Sequence, residues 1–195
     1  MNKSEAKYYH TACLMDEALI NLLQRKEYAF ITVKEICEKA GVNRSTFYLH
    51  YETIDDLLSE CIDYLNRKLS LMYAEDAIFD KTKIESYSVE ELLLITPQHL
   101  IPYLEFVRDN RATFVAAVSQ PMVFKVGDIS KSLYNVIFFP IMERYGIKES
   151  ERAYRTNFYL NGVWAIIQAW IRNGCKEEPE ELVKIILGCL NIPNN

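Results

Sequence analysis

The sequence is short of chain-breakers, with six glycines and six prolines in 195 residues. Convincing period-2 alternation is missing too, which argues against a sheet-based fold and moves the expectation to all-helix. Positive charge is in deficit, since 22 lysines and arginines face 27 acids for a formal net charge of −5. No global positive field therefore draws in nucleic acid, and any such binding must rest on a local patch. No window approaches the roughly 18 apolar residues of a membrane span. The amino-terminal stretch MNKSEAKYYHTACLMDEALINLL lacks the long apolar core of a signal peptide and carries Asp16 and Glu17 inside it. A soluble cytoplasmic protein without a membrane partner is expected.

Cysteine is sparse and unpaired. The five residues at 13, 37, 61, 175 and 189 form no CxxC pair. They read as small hydrophobes in a reducing compartment. The three histidines, at 10, 50 and 99, are scattered. There is no nucleophile–base arrangement, no phosphate-cradling glycine loop and no metal-ligand spacing. Neither an enzyme nor a cofactor or metal is expected.

Helix signals fill the chain instead. A first helix is expected from about 4 to 26, with Ala12, Met15, Leu19, Leu22 and Leu23 on one side. Thr32 and Glu35 form a capping-box pattern at the start of a short helix carrying Val33, Ile36, Cys37 and Ala40. Gly41 stops that helix, and Asn43 caps the next. Thr53, Asp55 and Asp56 open a fourth helix. Periodicity fades from 76 to 88, which reads as a loop. Later helices are expected near 89–95, 97–109, 111–118, 122–145, 149–173 and 179–191, with Pro97, Pro121 and Pro179 in first turns.

The last two of these are apolar almost all round. NFYLNGVWAIIQAWI and PEELVKIILGCLNI would leave much apolar surface wet if only one stripe faced a core. A two-fold homodimer is the economical cover, with both helices pairing into a four-helix bundle through Phe158, Gly162, Ala165, Ala169, Leu182, Ile186 and Leu190.

Residues 32–51 follow the logic of a helix-turn-helix. In the second short helix Phe47 and Tyr51 turn inward, and Leu49 belongs to the neighbouring side. Arg44, Ser45, Thr46, Tyr48 and His50 then face out or sit at the rim. Arginine can bond guanine O6 and N7 together, and hydroxyls serve bases or phosphates. Tyr48 and His50 can donate to phosphates, which sets register rather than reads sequence. Thr32 can offer its hydroxyl and N–H to another phosphate. Lys34 is a further cation on the same segment. Arg44 as a surface ion pair, Tyr48 packed on the first helix and His50 as a helix cap are the structural alternatives.

ITVKEICEKAGVNRSTFYLHYETIDDLL, residues 31–58, resembles the DNA-binding segment of the TetR family of bacterial transcriptional regulators. The match lies in ITVKEI, AGVNRSTFY, the His50–Tyr51 pair and the DLL at 56–58. GVWAIIQAWIRNGCKEEPEELV is similar to a subgroup that includes a regulator activating a dihydroxyacetone kinase operon by binding a kinase subunit; the resemblance does not carry that partner over. It implies an all-α fold with a three-helix helix-turn-helix domain over 1–52 and a helical ligand-binding and dimerisation domain over 53–195. It implies a homodimer on a double-stranded DNA operator, and a repressor released by a small-molecule effector. The alternative is control by a protein partner. Arg44, Ser45, Thr46 and Tyr48 become groove residues; Thr32, Tyr48 and His50 become phosphate contacts. Candidate pocket residues are His99, Tyr103, Tyr134, Phe138, Trp164, Asn161 and Gln168, with Asn157 extending the amide seam. Many relatives place a phosphate-gripping lysine where this chain has Ile54.

Overall fold

The computed structural model describes residues 2–72, 95–126 and 139–190. The described residues hold nine α-helices and no strand. They are α1 (Lys3–Leu23), α2 (Val33–Ala40), α3 (Arg44–His50), α4 (Ile54–Met72), α5 (Pro97–Asp109), α6 (Arg111–Ser119), α7 (Phe139–Arg144), α8 (Glu149–Arg172) and α9 (Pro179–Leu190). One 3-10 turn, Tyr28–Phe30, links α1 to α2. The expected loop at 76–88, nearly all of the helix at 89–95, and pocket candidates Tyr134 and Phe138 lie outside the described residues.

Contacts divide the chain into two units. The first comprises Met1–Lys68 together with Ala112–Phe124, the second Leu69–Arg111 together with Lys125–Asn195. In the first unit α1 packs on α2 and α2 on α3. Met15, Leu19, Leu23, Ile36, Phe47 and Leu57 are its largest fully buried side chains. Burial of such a set is the dominant favourable term in holding short helices that could not persist alone.

Within the first unit, Gln120 bonds Ala112–Phe124 to the end of α1. Gln120 Nε2 donates to the Leu23 carbonyl at 2.7 Å and the Lys26 carbonyl at 2.9 Å. Its Oε1 accepts from the Tyr28 N–H at 2.8 Å. The carbonyls past the last turn of α1 have no intrahelical donors, so this amide satisfies groups the helix cannot. The helix expected over 122–145 is found in part: 121–125 are turn residues with Lys125 at φ 51°, Phe139–Arg144 is helical, and 127–138 lie outside the described residues.

In the second unit α5 packs on α9 and α7 on α8. Leu104, Val107, Ile167, Trp170, Ile171, Leu182 and Ile186 form its buried centre. The α8–α9 turn is pinned by Trp170 Nε1–H donating to the Glu177 carbonyl at 3.0 Å. Among the described residues no helix is long and apolar enough to cross a membrane, and no group of His, Cys, Asp and Glu is placed to hold a metal.

Candidate nucleic-acid interface

Local chemistry sets where the two short helices begin and end. At α2 the Thr32 hydroxyl oxygen accepts the Glu35 N–H at 3.3 Å, and Glu35 Oε2 accepts the Thr32 N–H at 3.0 Å, a reciprocal capping box. Lys26 pairs with Glu35 at 2.6 Å. That contact, followed by Thr32, holds the Glu35 carboxyl below its ordinary range. Gly41 ends α2 at φ 68°, in the left-handed region that glycine enters without penalty. A β-carbon there would meet nothing within 4 Å, so the backbone rather than space demands glycine.

Asn43 then opens α3. Its Oδ1 accepts three donors: the Thr46 N–H at 2.7 Å, the Ser45 hydroxyl at 2.6 Å and the Thr46 hydroxyl at 2.9 Å. Phe47 is fully buried and anchors the helix. At about 100° per residue, Ser45 and Leu49 lie about 160° from Phe47 on either side, with Tyr48 at about 100° and Arg44 at about 60°. Exposure agrees: Arg44, Ser45, Tyr48 and Leu49 are exposed, Leu49 at 77% and Tyr48 at 59%. Thr46, about 100° from Phe47 on the other flank, is half-buried.

The remaining candidates are placed less simply. His50 is half-buried and stacks on Tyr8 of α1, ring centroids 3.8 Å apart. Burial pushes its pKa down. Its Nδ1 is buried without a hydrogen-bond partner among the described residues. Thr32 is exposed, but its hydroxyl and N–H are both held by Glu35, whose carboxylate occupies the helix N-terminus where a phosphate would approach. Lys34 is exposed beside Glu38 at 3.7 Å, a pairing of little energetic weight.

The start of α4 is acidic. Thr53 and Asp56 form a second reciprocal cap, with the Thr53 N–H to Asp56 Oδ2 at 2.8 Å and the Asp56 N–H to Thr53 Oγ1 at 3.2 Å. Asp55 accepts from the Tyr28 hydroxyl. Ile54 between them is half-buried. Behind the helix pair, Cys61 of α4 donates its thiol proton to Asp16 of α1 at 3.1 Å. Desolvation raises Asp16 to about 6, and the same burial pushes the Cys61 thiol up.

Two family models match. "Bacterial regulatory proteins, tetR family" covers residues 17–61, and "Transcriptional regulator C-terminal region" covers 96–191. The chain belongs to the TetR family. Its members are DNA-binding transcription factors rather than enzymes. A curated TetR-type relative from Bacillus subtilis (strain 168), the uncharacterized HTH-type transcriptional regulator YxbF, is 27% identical over 169 residues. That alignment takes in 85% of this chain and 41% of the relative, so the chain spans well under half the length of the protein it matches. A solved TetR regulator from Streptococcus agalactiae 2603V shares the fold, with a TM-score of 0.58 and 22% identity over 96% of this chain and 97% of that one. The dihydroxyacetone kinase operon activator DhaS matches at a TM-score of 0.46 and 16% identity over 92% and 93% of the two chains, a level that assigns no subgroup.

The C-terminal candidates of this TetR-family chain fall on two kinds of surface. His99 of α5 is buried, with Nδ1 2.8 Å from the Thr96 hydroxyl. Tyr103 and Trp164 are half-buried, and desolvation pushes the Tyr103 phenol up to about 12. The amide seam of α8 is satisfied within its own helix: Asn157 Nδ2 donates to the Ala153 carbonyl, Asn161 Nδ2 reaches Asn157 Oδ1, and Gln168 Oε1 accepts from Arg172. Asn161 is exposed rather than aimed into an interior.

The outer side of α8 presents Tyr154, Phe158, Gly162, Ala165 and Ala169, all exposed. Leu182 and Ile186 are buried inside the chain; α9 turns Ile185, Gly188 and Cys189 outward instead. A groove of about 70 Å³ on this side is lined by Phe158, Gly162, Val163, Ile166, Ile186, Cys189 and Leu190.

Periodicity alone left Leu49 off the interface. The signal was available, because two residues past a buried phenylalanine is the far side of a helix.

Proposed function

We propose that the chain forms a homodimer that binds a pseudo-palindromic double-stranded DNA operator and represses transcription until a small-molecule effector releases it. Residues 1–52 carry DNA recognition; residues 53–195 carry dimerisation and effector binding. The observation that supports this best is the outward face of α3. Arg44, Ser45, Tyr48 and Leu49 project from a helix held at one end by the Asn43 cap and underneath by Phe47. Such a helix enters the major groove with its base-reading side chains already placed.

Dimerisation is supported by the run of small and apolar residues exposed on α8 and continued on α9. Small residues at 162, 165 and 169 let a mate approach closely, and Tyr154 and Phe158 supply area to bury. One recognition helix per half-site then follows from two-fold symmetry.

Control by a protein partner is the second reading. It is favoured by the apolar side chains left exposed on α8 and α9, among them Tyr154, Phe158 and Ile185. The test is in vitro selection from random duplex DNA, with sedimentation of the resulting complex. An inverted repeat with half-site centres about 34–36 Å apart, or a multiple of that, and two chains per site is expected. No enrichment, or one chain per site, overturns the proposal.

A further inference from the structure

Resting on the DNA-binding reading above, we infer that Leu49 is a specificity-determining residue that reads the C5-methyl of a thymine in each half-site. Leu49 is the most exposed large apolar residue of the helix-turn-helix segment, at 77%. Its neighbours on α3 with comparable apolar bulk are accounted for: Phe47 is buried, and Tyr51, which caps the helix, is buried too. Leu49 lies on the ridge farthest from Phe47, one turn beyond Ser45, so a helix seated in a groove brings these two positions deepest.

The hydroxyls on this helix are otherwise engaged. Ser45 and Thr46 both donate to Asn43 Oδ1, at 2.6 and 2.9 Å, so their protons are committed to the cap. Arg44 and Tyr48 remain as the polar readers. The aliphatic side chain on the adjoining face of the helix has no hydrogen bond to offer a base edge. It would desolvate the exocyclic amine of adenine or cytosine without repaying it. The one apolar group displayed in the major groove is the thymine methyl, and a leucine is matched to it.

The test uses the full-length protein and its own selected operator. Each thymine is replaced singly by deoxyuridine, which removes the methyl and leaves base pairing intact. For the wild type, one substitution per half-site is expected to weaken binding about three- to fivefold, the effect of one buried methyl. Leu49→Ala should bind deoxyuridine and thymidine operators alike. Leu49→Gln should move the selected base at that position from thymine to adenine, since a glutamine pairs with adenine N6 and N7. Leu49 buries so little surface that neither variant threatens the fold, and an unchanged melting temperature checks this. A wild type indifferent to every deoxyuridine, while still binding its operator selectively, overturns this inference alone. So does a Leu49→Gln variant that selects the wild-type sequence. A wild type that binds no duplex selectively overturns the DNA-binding reading and this inference with it.

Discussion

Replacing Gln120 with alanine removes three hydrogen bonds at once. The Leu23 and Lys26 carbonyls lose their donor and the Tyr28 N–H loses its acceptor. A net value of about 0.5–1.5 kcal/mol per bond gives about 1.5–4.5 kcal/mol, and the part-buried setting places the expectation near 3. For a chain of this size that is a fall of roughly 6–12 °C in melting temperature. Gln120→Glu should be worse than alanine. It keeps an acceptor for Tyr28 but turns a carboxylate towards two carbonyls at the negative end of the α1 dipole. Urea unfolding followed by ellipticity, on wild type and both variants, reads the difference. An alanine variant within about 0.5 kcal/mol of wild type, or a glutamate variant milder than alanine, would refute the reasoning.

Asp16→Asn should raise the melting temperature at pH 7.5. The folded pKa, about 6, lies above the unfolded value of 3.8, so at pH 7.5 the native state carries a desolvated carboxylate, and only between those two values does it hold a proton the unfolded chain has lost. The cost is complete above about 6 and fades as pH falls towards 4, so the gain should shrink over that window; equal gains at pH 7.5 and 4 would contradict it. Gly162→Phe should weaken self-association with the fold intact, since a β-carbon there meets nothing within 4 Å; sedimentation identical to wild type would remove Gly162 from the interface. Ile54→Lys should tighten DNA binding and steepen its log–log salt slope by roughly 0.9 per protomer; an unchanged slope would mean that position does not meet phosphate.

The helix-turn-helix was legible because its determinants are local. Thr32 with Glu35, Gly41 and Asn43 act on backbone groups within four residues, and each behaves as its sequence position implies. What was not legible depends on distant partners. Pro121 reads as a helix start, yet the chain turns through Lys125, next to a glutamine bonded to carbonyls some 94 and 97 positions away. His50 reads as a phosphate donor, but its environment includes a Tyr8 ring brought from another helix. On α9 the apolar pattern does not say which side is inside; Leu182 and Ile186 are interior, while Ile185 and Cys189 face out. Family membership was legible from 31–58, inside one family match, whereas the subgroup resemblance of the carboxyl-terminal helices is not confirmed by the match over 96–191.

The central claim is that the outward face of α3 reads DNA, with Arg44 its strongest polar contact. It is tested most directly by comparing wild type and Arg44→Ala on the selected operator and on random duplex at one salt concentration. A bidentate arginine–guanine pair contributes about 1–3 kcal/mol per half-site, so operator affinity should fall roughly 30- to 10⁴-fold across two half-sites, with random-duplex binding changed far less. Operator affinity unchanged by Arg44→Ala, in a protein that still melts as the wild type does, would contradict the account.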